Sequence, residues 1–97
     1  MSVKVVLEFQ TTADQIDAVK SFLRSVFPET RSYDGFESLT VHQNEDDPTS
    51  FLIWAQWATR PNYEAYLAWR TETGVFEELI AMLFGQPSIR ILNNVGV

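Results

Sequence analysis

Phe51-Leu52-Ile53-Trp54-Ala55-Gln56-Trp57-Ala58-Thr59-Arg60-Pro61-Asn62-Tyr63-Glu64-Ala65-Tyr66-Leu67-Ala68-Trp69-Arg70 is the stretch that decides the fold. Its first eight residues alternate. Phe51, Ile53, Ala55 and Trp57 fall on one face and Leu52, Trp54, Gln56 and Ala58 on the other, which is the period of a strand. After Thr59 the period lengthens: Tyr63, Tyr66, Leu67 and Arg70 recur at i, i+3, i+4 and i+7, a single helical stripe, with Trp69 beside Tyr66. Thr59 is a good N-cap and Pro61 is tolerated in a first turn, so a helix is predicted to about Thr73. Gly74 breaks it, and Val75–Phe84 reads as a second helical stretch ended by Gly85 and Pro87.

Upstream, Asp34-Gly35 is turn chemistry, and Phe36 to Asn44 alternates as the partner strand of a hairpin. Leu39 and Val41 fall on one face and Phe36, Ser38, Thr40 and His42 on the other. Glu45-Asp46-Asp47-Pro48 closes the hairpin; it lacks the ligand spacing of a calcium loop and reads as a solvated tip. Ile16, Val19, Leu23, Val26 and Phe27 recur at helical spacing behind Thr12 and Gln15, which have the spacing of a capping box. Pro28 is expected to interrupt that helix. Val3–Phe9 supplies a first strand and Ser88–Asn94 a last one.

The order β-α-β-β-α(α)-β is that of an α+β, ferredoxin-like domain spanning residues 1–97, with helices on one face of a four-stranded antiparallel sheet. On the other face the pattern places Val6, Leu52, Trp54 and Leu92, joined by Leu39 and Val41 if the hairpin register allows. His42 would then lie on the helix side. An apolar sheet face of this size needs cover, and a homodimer through the sheet is predicted.

Composition narrows the function. With 97 residues, 45% hydrophobic and 13% aromatic, the chain builds one core. There is no cysteine, which excludes disulfides, thiolate metal sites and a cysteine nucleophile. Seven Lys and Arg against thirteen Asp and Glu give a net charge of −6, a poor match to nucleic acid. No apolar run is long enough for a membrane span and Met1-Ser2-Val3-Lys4 leads into no secretory signal, so a cytoplasmic location is expected. The sequence carries no phosphate-binding glycine loop, dinucleotide fingerprint, His/Glu metal spacing or nucleophilic triad. Neither a cofactor nor a metal is therefore expected.

Folding the Tyr63–Arg70 helix back on the sheet brings its stripe towards Trp57. Trp57, Tyr63, Tyr66 and Trp69 then wall a pocket for a planar aromatic molecule, with Ala55, Ala65 and Ala68 leaving the space. The same pattern also describes ordinary core packing. Arg70 on an apolar stripe needs a partner, either a structural carboxylate such as Glu8 or Glu37 or negative charge on a substrate. His42, the only imidazole, is the candidate base. Arg31 and Tyr33, at the helix exit, read as loop surface or as the mouth of the pocket.

Gly35 opening the second strand, the strand end Val41-His42-Gln43, and Trp57 shortly before Tyr63…Tyr66-Leu67 resemble the antibiotic biosynthesis monooxygenase domain over nearly the whole chain. The resemblance implies a dimeric α+β barrel with Trp57 lining the cavity and Tyr63 and Tyr66 facing it. It also implies cofactor-independent oxidation of a phenolic, polycyclic or quinol-type aromatic by O₂. In the haem-degrading branch of that superfamily, an asparagine near the end of the first strand and a helix histidine hold the haem. Leu7-Glu8-Phe9-Gln10 has no asparagine and His42 is predicted on a strand, which argues against haem degradation. Two other readings remain open: a dimeric module that only binds a hydrophobic small molecule, and a structural dimer whose cavity is packed shut.

Overall fold

A computed structural model describes residues 2–97. β1 (Val3–Gln10) leads through one 3₁₀ turn (Ala13–Gln15) into α1 (Ile16–Arg31), followed by the hairpin β2 (Phe36–Gln43) and β3 (Ser50–Trp57). Then come α2 (Arg60–Glu72), α3 (Val75–Ala81) and β4 (Ser88–Leu92). The sheet order is β2-β3-β1-β4 with every pairing antiparallel, which is the expected ferredoxin-like arrangement. No helix among the described residues is long and apolar enough to cross a membrane.

Register sets the two faces. Val3, Val5, Leu7 and Phe9 stand opposite Trp57, Ala55, Ile53 and Phe51, and this row meets the helices. Val19 and Leu23 of α1 and Leu79 of α3 close one cluster over Phe9, Phe51 and Ile53. Tyr63 closes a second over Val3, Val5, Ala55 and Trp57. Across the sheet, Val6 is buried between Trp54 and Arg90 on its two neighbours, while Trp54 stays 42% exposed and Leu92 38%.

The hairpin departs from simple alternation. Phe36 pairs with Trp57 but Ser38 pairs with Gln56, so Glu37 is an extra residue in a bulge. The bulge reverses the expected faces beyond it. Leu39 and Val41 stand opposite Ala55 and Ile53 on the helix side, and Leu39 packs into both clusters. His42, opposite Leu52, lies on the face away from the helices and bonds through Nε2 to Thr40 Oγ1 at 2.8 Å. Phe36 remains on the helix side against Trp57.

Two local expectations also change. Pro28 lies inside α1 and does not interrupt it: it is exposed near the helix end, where its ring meets solvent and its missing N–H removes a single helical bond. Arg31 consequently belongs to the last turn of α1. The Thr12–Gln15 capping box does not form, because Thr12 Oγ1 donates to Asp14 and the first turn is 3₁₀. The cap of α2 is as expected: Thr59 Oγ1 accepts from the Asn62 amide at 3.2 Å.

Gly35 joins this cap to the sheet. Its φ is +86°, its carbonyl accepts from the Ala58 amide at 2.8 Å, and a Cβ there would lie 2.3 Å from Cγ of Asn62. Only glycine satisfies both the turn and the close approach of α2.

Candidate functional site

Trp57 ends β3 only 1% exposed, because aromatic rings surround it. Ring centroids of Tyr66, Phe36, Tyr63 and Tyr33 lie 4.9, 5.5, 5.7 and 6.3 Å from its own. Trp69 stands one layer further out, stacked on Tyr33 at 5.2 Å. The spacing argument thus brings Trp57, Tyr63, Tyr66 and Trp69 together as one aromatic group. The space expected from small residues is not there: Ala65 and Ala68 face outward, and the Ala65 carbonyl accepts from the Tyr33 hydroxyl at 3.3 Å.

Arg70 is 3% exposed and faces α1. Its Nη2 donates to the Val26 carbonyl at 2.6 Å and to Thr30 Oγ1 at 3.0 Å, and its Nε donates to the Tyr66 hydroxyl at 3.0 Å. Thr30 and Tyr66 share a further bond at 2.6 Å. The guanidinium also covers the Trp69 ring at 4.5 Å. Its one carboxylate is Glu29 at 3.7 Å, whose side chain is 66% exposed, so that pair contributes little. Neither expected carboxylate is the partner. Glu8 pairs with Arg90, while Glu37 accepts from Ser2 and Gln56, bonds that lower its pKa from the usual carboxylate value.

Two spaces lie between helices and sheet. The inner one, about 70 Å³, is apolar and lined by Phe22, Val26, Ile53, Phe76, Tyr63 and Tyr66 among others, with Arg70 at its edge. A water occupies about 30 Å³ of liquid, so this space admits a very small molecule and no ring system. The outer one is an open groove of about 480 Å³ between α1 and β2, within the range of small-molecule sites. Its floor is Leu23, Phe27, Leu39, Val41 and Phe51; Lys20, Arg24 and Arg31 stand along α1 at its rim. Leu23 and Phe27 line both spaces and form the wall between them.

Of the residues singled out from sequence, Tyr63, Tyr66 and Arg70 line the inner cavity. Trp57 supports them from behind, Trp69 caps Tyr33, and His42 lies across the sheet. The groove residues were missed, apart from Arg31. Their signal was present: Lys20, Arg24 and Arg31 at i, i+4 and i+11 are three of only seven basic residues, on one helix. Leu39 and Val41 carried no such signal, since the bulge that turns them inward has no sequence mark.

Residues 2–73, well over half of the chain, match the sequence profile of a family described as antibiotic biosynthesis monooxygenase. The chain belongs to the antibiotic biosynthesis monooxygenase family. Solved structures agree with this family assignment at the level of fold. A conserved protein from Methanosarcina mazei Go1 is 18% identical, with 94% of this chain and 90% of that one covered and a TM-score of 0.86. SnoaB from Streptomyces nogalater, a cofactor-independent oxygenase seen in a mutant form, is 16% identical, with 99% and 95% covered and a TM-score of 0.85. NE2512 from Nitrosomonas europaea, a protein of unknown function, is 16% identical, with 99% and 91% covered and a TM-score of 0.81. None of the curated proteins compared matches this family member.

Three variants test the inner site. Arg70→Ala removes three hydrogen bonds and leaves the Thr30–Tyr66 pair without its donor, so thermal unfolding should show a loss of about 2–4 kcal/mol. Arg70→Lys should recover little of it, because a single ammonium cannot replace the fork. For Tyr63, burial and then the neighbouring Tyr66 push the phenol up to about 12. The folded state holds this proton more tightly than the unfolded chain. Its contribution to stability is complete below pH 10 and is lost as pH rises from about 10 towards 12. Denaturant unfolding across that window should fall by about 2–3 kcal/mol more in the native protein than in Tyr63→Phe. Parallel curves would assign the alkaline loss to other groups.

Proposed function

We propose that this protein oxidises an electron-rich phenolic or quinol-type aromatic with molecular oxygen, with no resident cofactor and as a homodimer. The observation that carries the reading is the groove between α1 and β2. It has the volume for a fused-ring substrate and, at Leu23 and Phe27, shares a wall with the apolar cavity behind it. Family membership supplies the reaction class.

In this reading the ring system lies on Leu39, Val41 and Phe51, with its edge against Phe27. Water at the open mouth removes the phenolic proton, because His42 stands on the opposite face. The phenolate passes one electron to O₂, and the resulting phenoxyl and superoxide combine at a ring carbon. The proton first lost by the phenol returns to the peroxide, its O–O bond breaks, and the ring C–H proton leaves with the departing hydroxide as water. One phenol and one O₂ thus give one quinone and one H₂O. The protein's part is orientation of the ring on the groove floor. Tyr63 lines the inner cavity, and burial raises its pKa, which disfavours it as a base. Trp57 and Trp69 hold Tyr66 and Tyr33, while Arg70 is a positioning residue that fixes the Tyr66 hydroxyl.

The second copy covers the open sheet face, where Val6, Leu52 and Trp54 are apolar and Leu92 stands apart on β4 beside Lys4. Around them stand Lys4, Glu8, Glu37 and Arg90. Binding of a hydrophobic molecule without turnover is the alternative, and one assay separates the two. Chelator-treated protein given a hydroxynaphthalene should consume oxygen faster than the solution alone, with a rate rising as the substrate ionises. Binding without protein-dependent uptake for several phenols and quinols would leave a binding module. For the assembly, sedimentation at micromolar concentration should give about twice the 11.1 kDa chain mass. Trp54→Arg should shift it to monomer, because an unpartnered charge in an apolar interface costs several kcal/mol.

A further inference from the structure

The rings around Trp57 form a connected series as well as a core. With no cysteine in the chain, indoles and phenols are the side chains most easily oxidised by one electron. Tyr33 is the hub of the series: its ring centroid lies 5.2 Å from that of Trp69, 5.3 Å from Tyr66 and 6.3 Å from Trp57. Trp57 lies 4.9 Å from Tyr66, which lines the inner cavity. Packed rings therefore run from that cavity, past an indole only 1% exposed, to a half-buried tyrosine. The hydroxyl of that tyrosine is at the surface and donates to the Ala65 carbonyl at 3.3 Å.

The rings differ in how well each can hold an electron vacancy. A positive charge beside a ring makes its radical cation costlier. The Arg70 guanidinium lies 4.5 Å from the centre of the Trp69 ring and 5.4 Å from that of Tyr66, and it donates to the Tyr66 hydroxyl. The other partner of that hydroxyl is Thr30, which is no base. Tyr63 is buried, and burial pushes its pKa up to about 12, so it keeps its proton. Tyr33 has neither handicap. Among the described residues no guanidinium covers its ring, and its proton can pass to water.

We propose that this aromatic series conducts oxidising equivalents out of the interior, with Tyr33 as the outlet. A strong one-electron oxidant, such as a peroxyl radical, takes an electron from Trp57 and becomes its anion. Tyr33, directly or through Tyr66, returns that electron to Trp57 and gives its hydroxyl proton to water. A neutral phenoxyl radical is left at the surface, and a soluble reductant of the ascorbate class supplies it with one hydrogen atom. Over the cycle the oxidant gains one electron, the reductant loses one hydrogen atom, one proton goes to water, and both side chains are restored. The proposal stands on ring geometry and charge, independently of the reaction proposed above.

Flash photolysis tests it on the full chain carrying Trp54→Phe and Trp69→Phe, in which Trp57 is the one indole. An ultraviolet pulse ionises Trp57, and the absorption of its radical should decay as a tyrosyl band grows at the same rate, independent of protein concentration. Adding Tyr33→Phe should abolish the tyrosyl band and leave the indole radical long-lived, whereas adding Tyr63→Phe should leave the transfer in place. Ascorbate should erase the tyrosyl signal. In the chain without the two tryptophan substitutions, azide radicals, which attack indoles, should give the same signal, and Tyr33→Phe should remove most of it. An indole radical that persists with Tyr33 present would overturn the conduction. A tyrosyl band that survives Tyr33→Phe, or that ascorbate does not reach, would overturn Tyr33 as the outlet.

Discussion

The guanidinium of Arg70 ties the two long helices together, and the inner cavity depends on the distance between them. It reaches from α2 to the Val26 carbonyl and the Thr30 hydroxyl of α1 while holding the Tyr66 hydroxyl of its own helix. A buried cation carries a large desolvation cost, and here the offset comes from neutral acceptors and from the ring of Trp69, with only an exposed carboxylate nearby. Nε and Nη2 make three hydrogen bonds at once only in this orientation, with Nη1 turned towards Glu29. The helix pair inherits that single geometry, and Phe27 and Leu23, one turn before Thr30 and two, inherit their places as the wall between groove and cavity.

The period change after Trp57 made the fold legible. Strand alternation followed by a helical stripe leaves few topologies once the short hairpin and flanking strands are added. The aromatic group of Trp57, Tyr63, Tyr66 and Trp69 was legible for the same reason, since two periodic elements joined by a two-residue connection must fold onto each other. What failed was local and geometric. The Glu37 bulge exchanges the faces of the β2 residues after it, so Leu39 and Val41 enter the groove and His42 leaves it. Pro28 was a helix breaker by rule, yet an exposed proline near a helix end removes only one bond. The partners of Arg70 were sought among carboxylates, but the sheet register assigns Glu8 to Arg90 and Glu37 to Gln56.

The groove was less legible than the fold because no motif marks it. The groove is defined by what its cations lack, and pairing is a property of the folded molecule. Lys20, Arg24 and Arg31 look in the sequence like an ordinary solvated helix face. Only when Lys4, Arg60, Arg70 and Arg90 are each given a partner do the remaining three stand out, together along one groove.

The contact between Gly35 and Asn62 gives the fold a pair of positions whose histories are tied. A side chain at 35 has no room while Asn62 stands where it does, and even with a smaller residue at 62 the positive φ would remain. A lineage that enlarges position 35 must therefore change position 62 and rebuild the turn as well, a combination that no single substitution reaches. Sequence drift elsewhere can be wide, as the low identity of structures sharing this fold illustrates. At this junction of hairpin and helix in this chain it has almost nowhere to go.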